Sequence, residues 1–372
     1  MPAAVALLGR MMTDSLPDVP VPAASDARLA LSVLDLIPVR STQTTADAVA
    51  ASIELARRAD ELGFTRYWVA EHHNMRAVAS TNPAVLIGIL AANTERIRIG
   101  SGGVMLPNHS PLIVAEQFAL LEAAYPGRID LGLGRAPGSD PVITSFLRTS
   151  GTTSNPEDFP QHVQDIAALL DADGAALRLP NGQMYTLSAT PAATSVADIW
   201  LLGSSEFSAR LAARLGMPYV FAHHFSGEGT ERIVGLYRDG FEASETLKEP
   251  RTFLTLNVSV AETAAEAHAA ALPQLQQMAR LRSGQPLGPL ATIEEAAATE
   301  LPPAQQQLVD SMLERWVIDE PVNAAARIRT LATTLGVDEV MVVPGLSAHN
   351  NDDPRTAPAR VRALELLAAE LL

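Results

Sequence analysis

LALSVLDL (Leu29–Leu36), followed after a polar connection by TADAVAASIELARRADELG (Thr45–Gly63), decides the fold. The first run is a short aliphatic strand. The second places Ala46, Val49, Ile53 and Ala56 on one helical face and Asp47, Glu54, Arg58 and Glu61 on the other, and Gly63 stops it. Working outward, the same strand-then-helix unit recurs. Strands are expected at Thr65–Ala70, at Ile97–Gly100 continuing through Val104, and at Ile129–Leu133, Ile199–Leu202, Tyr219–Ala222, Phe253–Val260 and Glu339–Val343. Helices open at Asn82-Pro83 and Ser110-Pro111, each with an N-cap residue before a proline whose missing N–H costs nothing there, and a closing helix covers about Pro358–Leu372. Eight strands with intervening helices fit a single closed (β/α)8 TIM barrel over residues 28–372 better than the alternative, a doubly wound open sheet.

Composition narrows the function. The 372 residues include no cysteine, which excludes disulfides, thiolate metal sites and a cysteine nucleophile and points to the cytoplasm. A formal charge of −15, with no basic blocks, argues against a nucleic-acid partner. Neither a signal peptide nor a membrane span is read, and residues 1–27 are expected to be a flexible, proline-bearing lead-in. Two excursions interrupt the repeat: Ala175–Ala192 after strand four, with a hairpin turn at Pro180-Asn181-Gly182, and Ser283–Gln307 after strand seven, a candidate lid.

In such a barrel the chemistry belongs at the C-terminal strand ends, and there the unusual residues gather. Strand two ends in Glu71-His72-His73-Asn74. Strand three runs through Gly102-Gly103, which lets a flat ligand approach the backbone. Strand four presents Arg135. Strand five ends in Gly203-Ser204-Ser205 and feeds a helix whose free N–H groups suit a phosphate. Strand six ends in His223-His224. Singly, each has an ordinary explanation: a helix cap, a surface ion pair, relief of crowding, or a histidine on the core side of an extended chain. Their coincidence at one end of the strands is the signal.

The stretches YWVAEHHN (Tyr67–Asn74), IRIGSGGVMLP (Ile97–Pro107), YPGRIDLGLGR (Tyr125–Arg135) and WLLGSS (Trp200–Ser205) resemble the bacterial-luciferase-like family of flavin-dependent oxidoreductases. The resemblance implies an FMN-dependent monooxygenase that takes reduced FMN (FMNH2) and oxygen as partners of a small organic substrate and works through a C4a-hydroperoxyflavin. His72 then matches the catalytic base, with Glu71 as its neighbour. Gly102-Gly103 matches a cis-linked pair beneath the isoalloxazine. Arg135, Gly203, Ser204 and Ser205 match the phosphate-binding groups, and His223 falls near a flavin-lining position. The resemblance also implies a homodimer and a separate NAD(P)H flavin reductase. Gly134 stands where luciferases carry a reactive cysteine, which argues against light emission from long-chain aldehydes. Three alternatives stay open: a deazaflavin-dependent oxidoreductase, a non-catalytic FMN-binding protein, and a metal-dependent barrel hydrolase using His72, His73, His223 and His224.

Overall fold

The computed structural model describes residues 28–136, 141–149, 155–227 and 229–372; the lead-in at residues 1–27 lies outside them. Eight parallel strands close a barrel: β1 (Ala30–Asp35), β2 (Arg66–Val69), β3 (Arg98–Ser101), β4 (Ile129–Gly134), β5 (Asp198–Gly203), β6 (Tyr219–Phe221), β7 (Leu254–Val260) and β8 (Glu339–Pro344). Each pairs with the next, β8 pairs β1, and Leu254 opposite Phe221 joins β7 to β6. The open-sheet alternative is thereby set aside.

Local chemistry explains the helices. Thr44 and Asp47 form a reciprocal capping box on the Thr45–Leu62 helix, and Gly63 closes it with φ 86°. Asn82 accepts a hydrogen bond from the Val85 N–H, whereas Ser110 makes no side-chain cap bond and Pro111 alone marks that helix start. Pro180-Asn181-Gly182 turns an antiparallel hairpin between Ala175–Arg178 and Met184–Leu187.

Two expected strands end differently. The third breaks at Gly102-Gly103, a cis peptide, and resumes as Val104–Met105 beside Leu133 and Gly134 of β4. The sixth stops at Phe221, so His223 and His224 sit on a single helical turn, His223–Ser226, rather than on extended chain.

Inside the barrel, side chains form layers at the period of two that strands impose. Near the N-terminal ends, Arg66 bonds Asp130 at 2.7 Å and Glu339 at 2.6 Å, and Ser32 and Trp68 donate to the same two carboxylates. Above this floor, Trp68 packs edge to face on Trp200 and Phe253, which are tilted against each other, with ring centres 5.1–5.8 Å apart, and the Arg66 guanidinium lies 4.9 Å from the Trp200 ring. On the side of β3 and β4 there is no room for a side chain: a Cβ on Gly132 would stand 2.0 Å from the Ser101 carbonyl oxygen.

Outside the barrel, Asp35 is fully buried and ties β1 to three elements through Ser52 of the first helix, Tyr67 of β2 and Arg360 of the last helix. The chain after β7 builds a helical excursion: Ala264–Arg282, Ile293–Ala297 and Pro303–Leu313, then a strand, Val317–Asp319, beside the end of β7. The Ser283–Gln307 segment is stitched to the loops after β1 and β8, through Leu290 to Val39 and Ser41 and through Ile293 to Ala348. It therefore lies at the C-terminal end of the barrel.

Arg66→Met leaves Glu339 without its cation and Asp130 with only Arg98, and is expected to cost about 3–5 kcal/mol. Urea denaturation would show this as a lower midpoint, and an unchanged midpoint would remove the network's structural role.

Candidate active site

The strand ends bring the sequence-selected residues to one mouth. Glu71 follows β2 directly and is completely buried. One of its oxygens, Oε1, accepts from His73 Nε2 at 2.7 Å and from His109 Nε2 at 2.8 Å, and Oε2 accepts from the Met105 N–H at 2.9 Å. Burial alone would raise this carboxyl, but the hydrogen bonds from His109 and His73, the charge of His109 and the Met105 N–H together hold it at about 2. Glu71 is thus ionised at neutral pH and cross-links the loops after β2 and β3. Its hydrogen bonds go to His73 and His109 and not to the adjacent His72.

His72 occupies a different environment. Its Nδ1 is buried with no hydrogen-bond partner, while its backbone N–H donates to the Ser80 carbonyl. Burial lowers its pKa below the ordinary imidazole value, and His73 adds to this against the opposing pull of Glu71. His224 is lowered further, to about 4, by burial and by its neighbours His223 and His72. His72 and His224, from the ends of β2 and β6, therefore lie near enough to feel each other. His224 Nδ1 pairs with Thr255 Oγ1 at 3.0 Å, and His223 Nδ1 pairs with Thr230 Oγ1 at 2.6 Å.

Gly102 and Gly103 lie between Leu34, Trp68, Gly132 and Leu202; a Cβ on Gly103 would meet the Gly132 carbonyl oxygen at 2.7 Å. Gly203 is equally confined, because a Cβ there would stand 2.4 Å from Ser208 Oγ. Ser204 and Ser205 are exposed at the start of the Glu206–Leu215 helix, whose first turn has no side-chain cap bond. Arg135 reaches this turn from β4, its guanidinium carbon 4.2 Å from the Phe207 ring centre. Pro137 and Gly138, which follow Arg135 in the sequence, lie outside the described residues.

Among the described residues no group of three or more histidines or carboxylates could hold a metal ion. In the tetrad required by the hydrolase alternative, His73 is committed to Glu71, His223 to Thr230 and His224 to Thr255.

The arrangement matches a known family. The family model described as luciferase-like monooxygenase matches residues 29–339. The chain belongs to this family. A luciferase-like monooxygenase from Escherichia coli K12 is 39% identical over 320 residues, covering 86% of this chain and 92% of that one. The crystal structure of apo-MsnO8 superposes with a TM-score of 0.80 at 35% identity, covering 93% of this chain and 98% of its own. The oxygenating constituent of 3,6-diketocamphane monooxygenase from Pseudomonas putida, a type II Baeyer–Villiger monooxygenase in complex with FMN, shares the fold. It superposes with a TM-score of 0.64 at 18% identity, covering 92% and 97% of the two chains.

Sequence reading missed His109 as a partner of Glu71, although it stands two residues beyond Pro107 at a strand's C-terminal end. That position was the available signal.

Because the folded Glu71 carboxyl lies below its ordinary value of 4.5, its contribution to stability is complete above about pH 4.5 and is lost as pH falls towards 2. Glu71→Gln is expected to shallow that part of the stability profile in urea melts run across this range. Parallel profiles for the two proteins would show that the carboxylate contributes nothing there.

Proposed function

We propose that the chain is a monooxygenase that uses reduced FMN and molecular oxygen to oxidise a small organic substrate. The observation that carries this reading is the convergence at one barrel mouth of a backbone platform without side chains, an open helix N-terminus with an arginine beside it, and a buried imidazole with an unfilled Nδ1. These features fit FMN part by part. Arg135 and the N–H groups at Ser204-Ser205 would hold its phosphate, and Gly102-Gly103 would accept the flat ring system. When bound, reduced flavin supplies the electrons that activate oxygen.

The chain's own residues then supply position, dryness and proton control. His72 and His224, both below the ordinary imidazole value, are neutral at pH 7 and bring no competing charge to the mouth. Nδ1 of His72 is available to accept a proton and return it. Glu71 acts at one remove: it fixes His73, His109 and the backbone just beyond Gly103, and so positions the platform. Trp68 and Trp200, buried beneath, exclude water from below. A separate NAD(P)H-dependent reductase would provide the reduced flavin.

We also propose that the protein works as a homodimer. Helices Pro83–Ala91 and Pro111–Ala124 pack side by side and turn Val85, Ile113 and Leu120 outward, each at least half exposed. The first helix carries no charged residue and the second only Glu116 and Glu122, so a neutral apolar face of the same kind, a second copy, is its natural partner.

Arg135→Ala is expected to weaken FMN binding about 10- to 100-fold while leaving riboflavin, which lacks the phosphate, unaffected. Fluorescence titration would measure both, with a deazaflavin as a third ligand, and tight binding of the deazaflavin alone would overturn the FMN assignment. Once a substrate is in hand, His72→Ala should retain FMN and lose roughly a hundredfold or more in oxygenation rate; full activity would exclude the proton role. In sedimentation velocity the native protein should run as a dimer and Leu120→Glu as a monomer, whereas a monomeric native protein would exclude the interface.

A further inference from the structure

Two buried arginines meet at the start of the closing helix, Pro358–Leu371. Arg40, in the loop after β1, is 5% exposed, and Arg360, in the first turn of that helix, is 6% exposed. Arg40 donates from Nη1 to the Thr356 carbonyl at 3.1 Å and from Nη2 to the Asp353 and Pro354 carbonyls at 3.4 Å, so its guanidinium lies against the segment that leads into the helix. Arg360 donates from Nη2 to Asp35. The Nε–H of each is buried and has no partner. The two cations are near enough to interact: burial and the charge of Arg360 lower the Arg40 pKa, against the opposing pull of Asp352 and Asp353.

Arg40 is the unusual member of the pair. A guanidinium taken out of water is ordinarily matched by a carboxylate, as Arg360 is by Asp35 and Arg66 by Asp130 and Glu339, whereas the acceptors of Arg40 are all carbonyl oxygens. Asp352 and Asp353 act on it through charge without bonding to it, because each closes its own turn: Asp352 accepts from the His349 N–H at 2.8 Å and Asp353 from the Arg355 N–H at 2.9 Å. Glu54, which is exposed, accepts from the Ala357 N–H at 3.3 Å. The helix start adds to the positive side. Ala357 supplies no capping side chain and Pro358 has no N–H, which leaves the N–H groups of Ala359 and Arg360 at the positive end of the helix dipole. An unmatched buried cation, two orphan donors and an uncapped helix start thus coincide.

We propose that a small monovalent anion of the halide class, chloride, binds here, accepts hydrogen bonds from the Nε–H groups of Arg40 and Arg360 and serves as the counter-charge that Arg40 lacks. A monatomic anion needs little more room than a water molecule, and it supplies the charge that water does not. Bound there, it fastens the loop after β1 and the segment after β8 to the closing helix. The bridge between Arg40 and Leu290 extends that fastening to the excursion after β7. The site is independent of the flavin reading, and its test needs neither cofactor nor substrate.

The test is urea unfolding of the full-length protein in a series where sodium chloride replaces sodium gluconate at constant ionic strength. An anion that binds only the folded state divides the unfolding equilibrium constant by one plus the ratio of its concentration to its Kd, and a fall of at least about fivefold is expected between zero and about 0.5 M chloride. Arg40→Met should remove the chloride dependence, and Arg214→Met, exposed on the helix after β5, should retain it. Crystals grown with sodium bromide in place of chloride should show an anomalous peak beside the Nε atoms of Arg40 and Arg360. A native protein indifferent to chloride overturns the proposal. So does a dependence of equal size in Arg40→Met, which would mark a general salt effect, and so does a bromide structure without the peak, where water would be the partner of the two donors. If Arg40→Met does not fold, the native series and the bromide peak still decide.

Discussion

A single cation on the barrel axis sets the terms for everything above it. Arg66 is almost wholly removed from water and is held by Asp130 and Glu339, which come from β4 and β8. A charge buried so deeply is tolerable only with its partners in place, so the pairing fixes which residues of three separate strands face inward. With that register set, Trp68 and Trp200 stack on the guanidinium, Gly132 falls opposite Trp200, and Gly102 lies beyond them. The platform at the mouth is therefore placed by an ion pair at the opposite end of the strands.

Above the platform the ionisable groups divide into two kinds. On the side of β2 and β3, Glu71 stays charged because hydrogen bonds from two imidazoles and an amide outweigh the cost of burying it. On the side of β6, His223 and His224 are pushed towards neutrality by burial, as is His72 between them and Glu71. One fixed negative group, turned away from the mouth by its own partners, thus sits beside a set of neutral nitrogen bases. That is a setting suited to proton movement.

What the sequence reveals and what it conceals follow from the range of the forces involved. The strands, the helix caps at Thr44 and Asn82, the stop at Gly63 and the turn at Gly182 depend on neighbours within a few positions, and they are legible in the chain. The clustering of Glu71, Gly102, Arg135 and Ser204 at strand ends is legible too, because barrel geometry sends all strand ends to one face. Side-chain pairing is another matter. Glu71 and His72 are adjacent in sequence, yet the backbone sends the carboxylate to His73 and to His109, 38 residues away. Nor could periodicity show that the third strand would break at Gly102-Gly103, or that His223-His224 would coil.

The shared oxygen of Glu71 has a further consequence, for how such an enzyme can change over generations. Because one atom receives bonds from two loops, replacing any of Glu71, His73 or His109 disturbs both loops together, and that half of the mouth can be altered only through coordinated substitutions. The excursion after β7 reaches the same mouth from the other side without touching that atom. Its helices can acquire new side chains one at a time while the Glu71 half stays as it was. The fold thereby separates a constrained part of the mouth from one that is freer to vary.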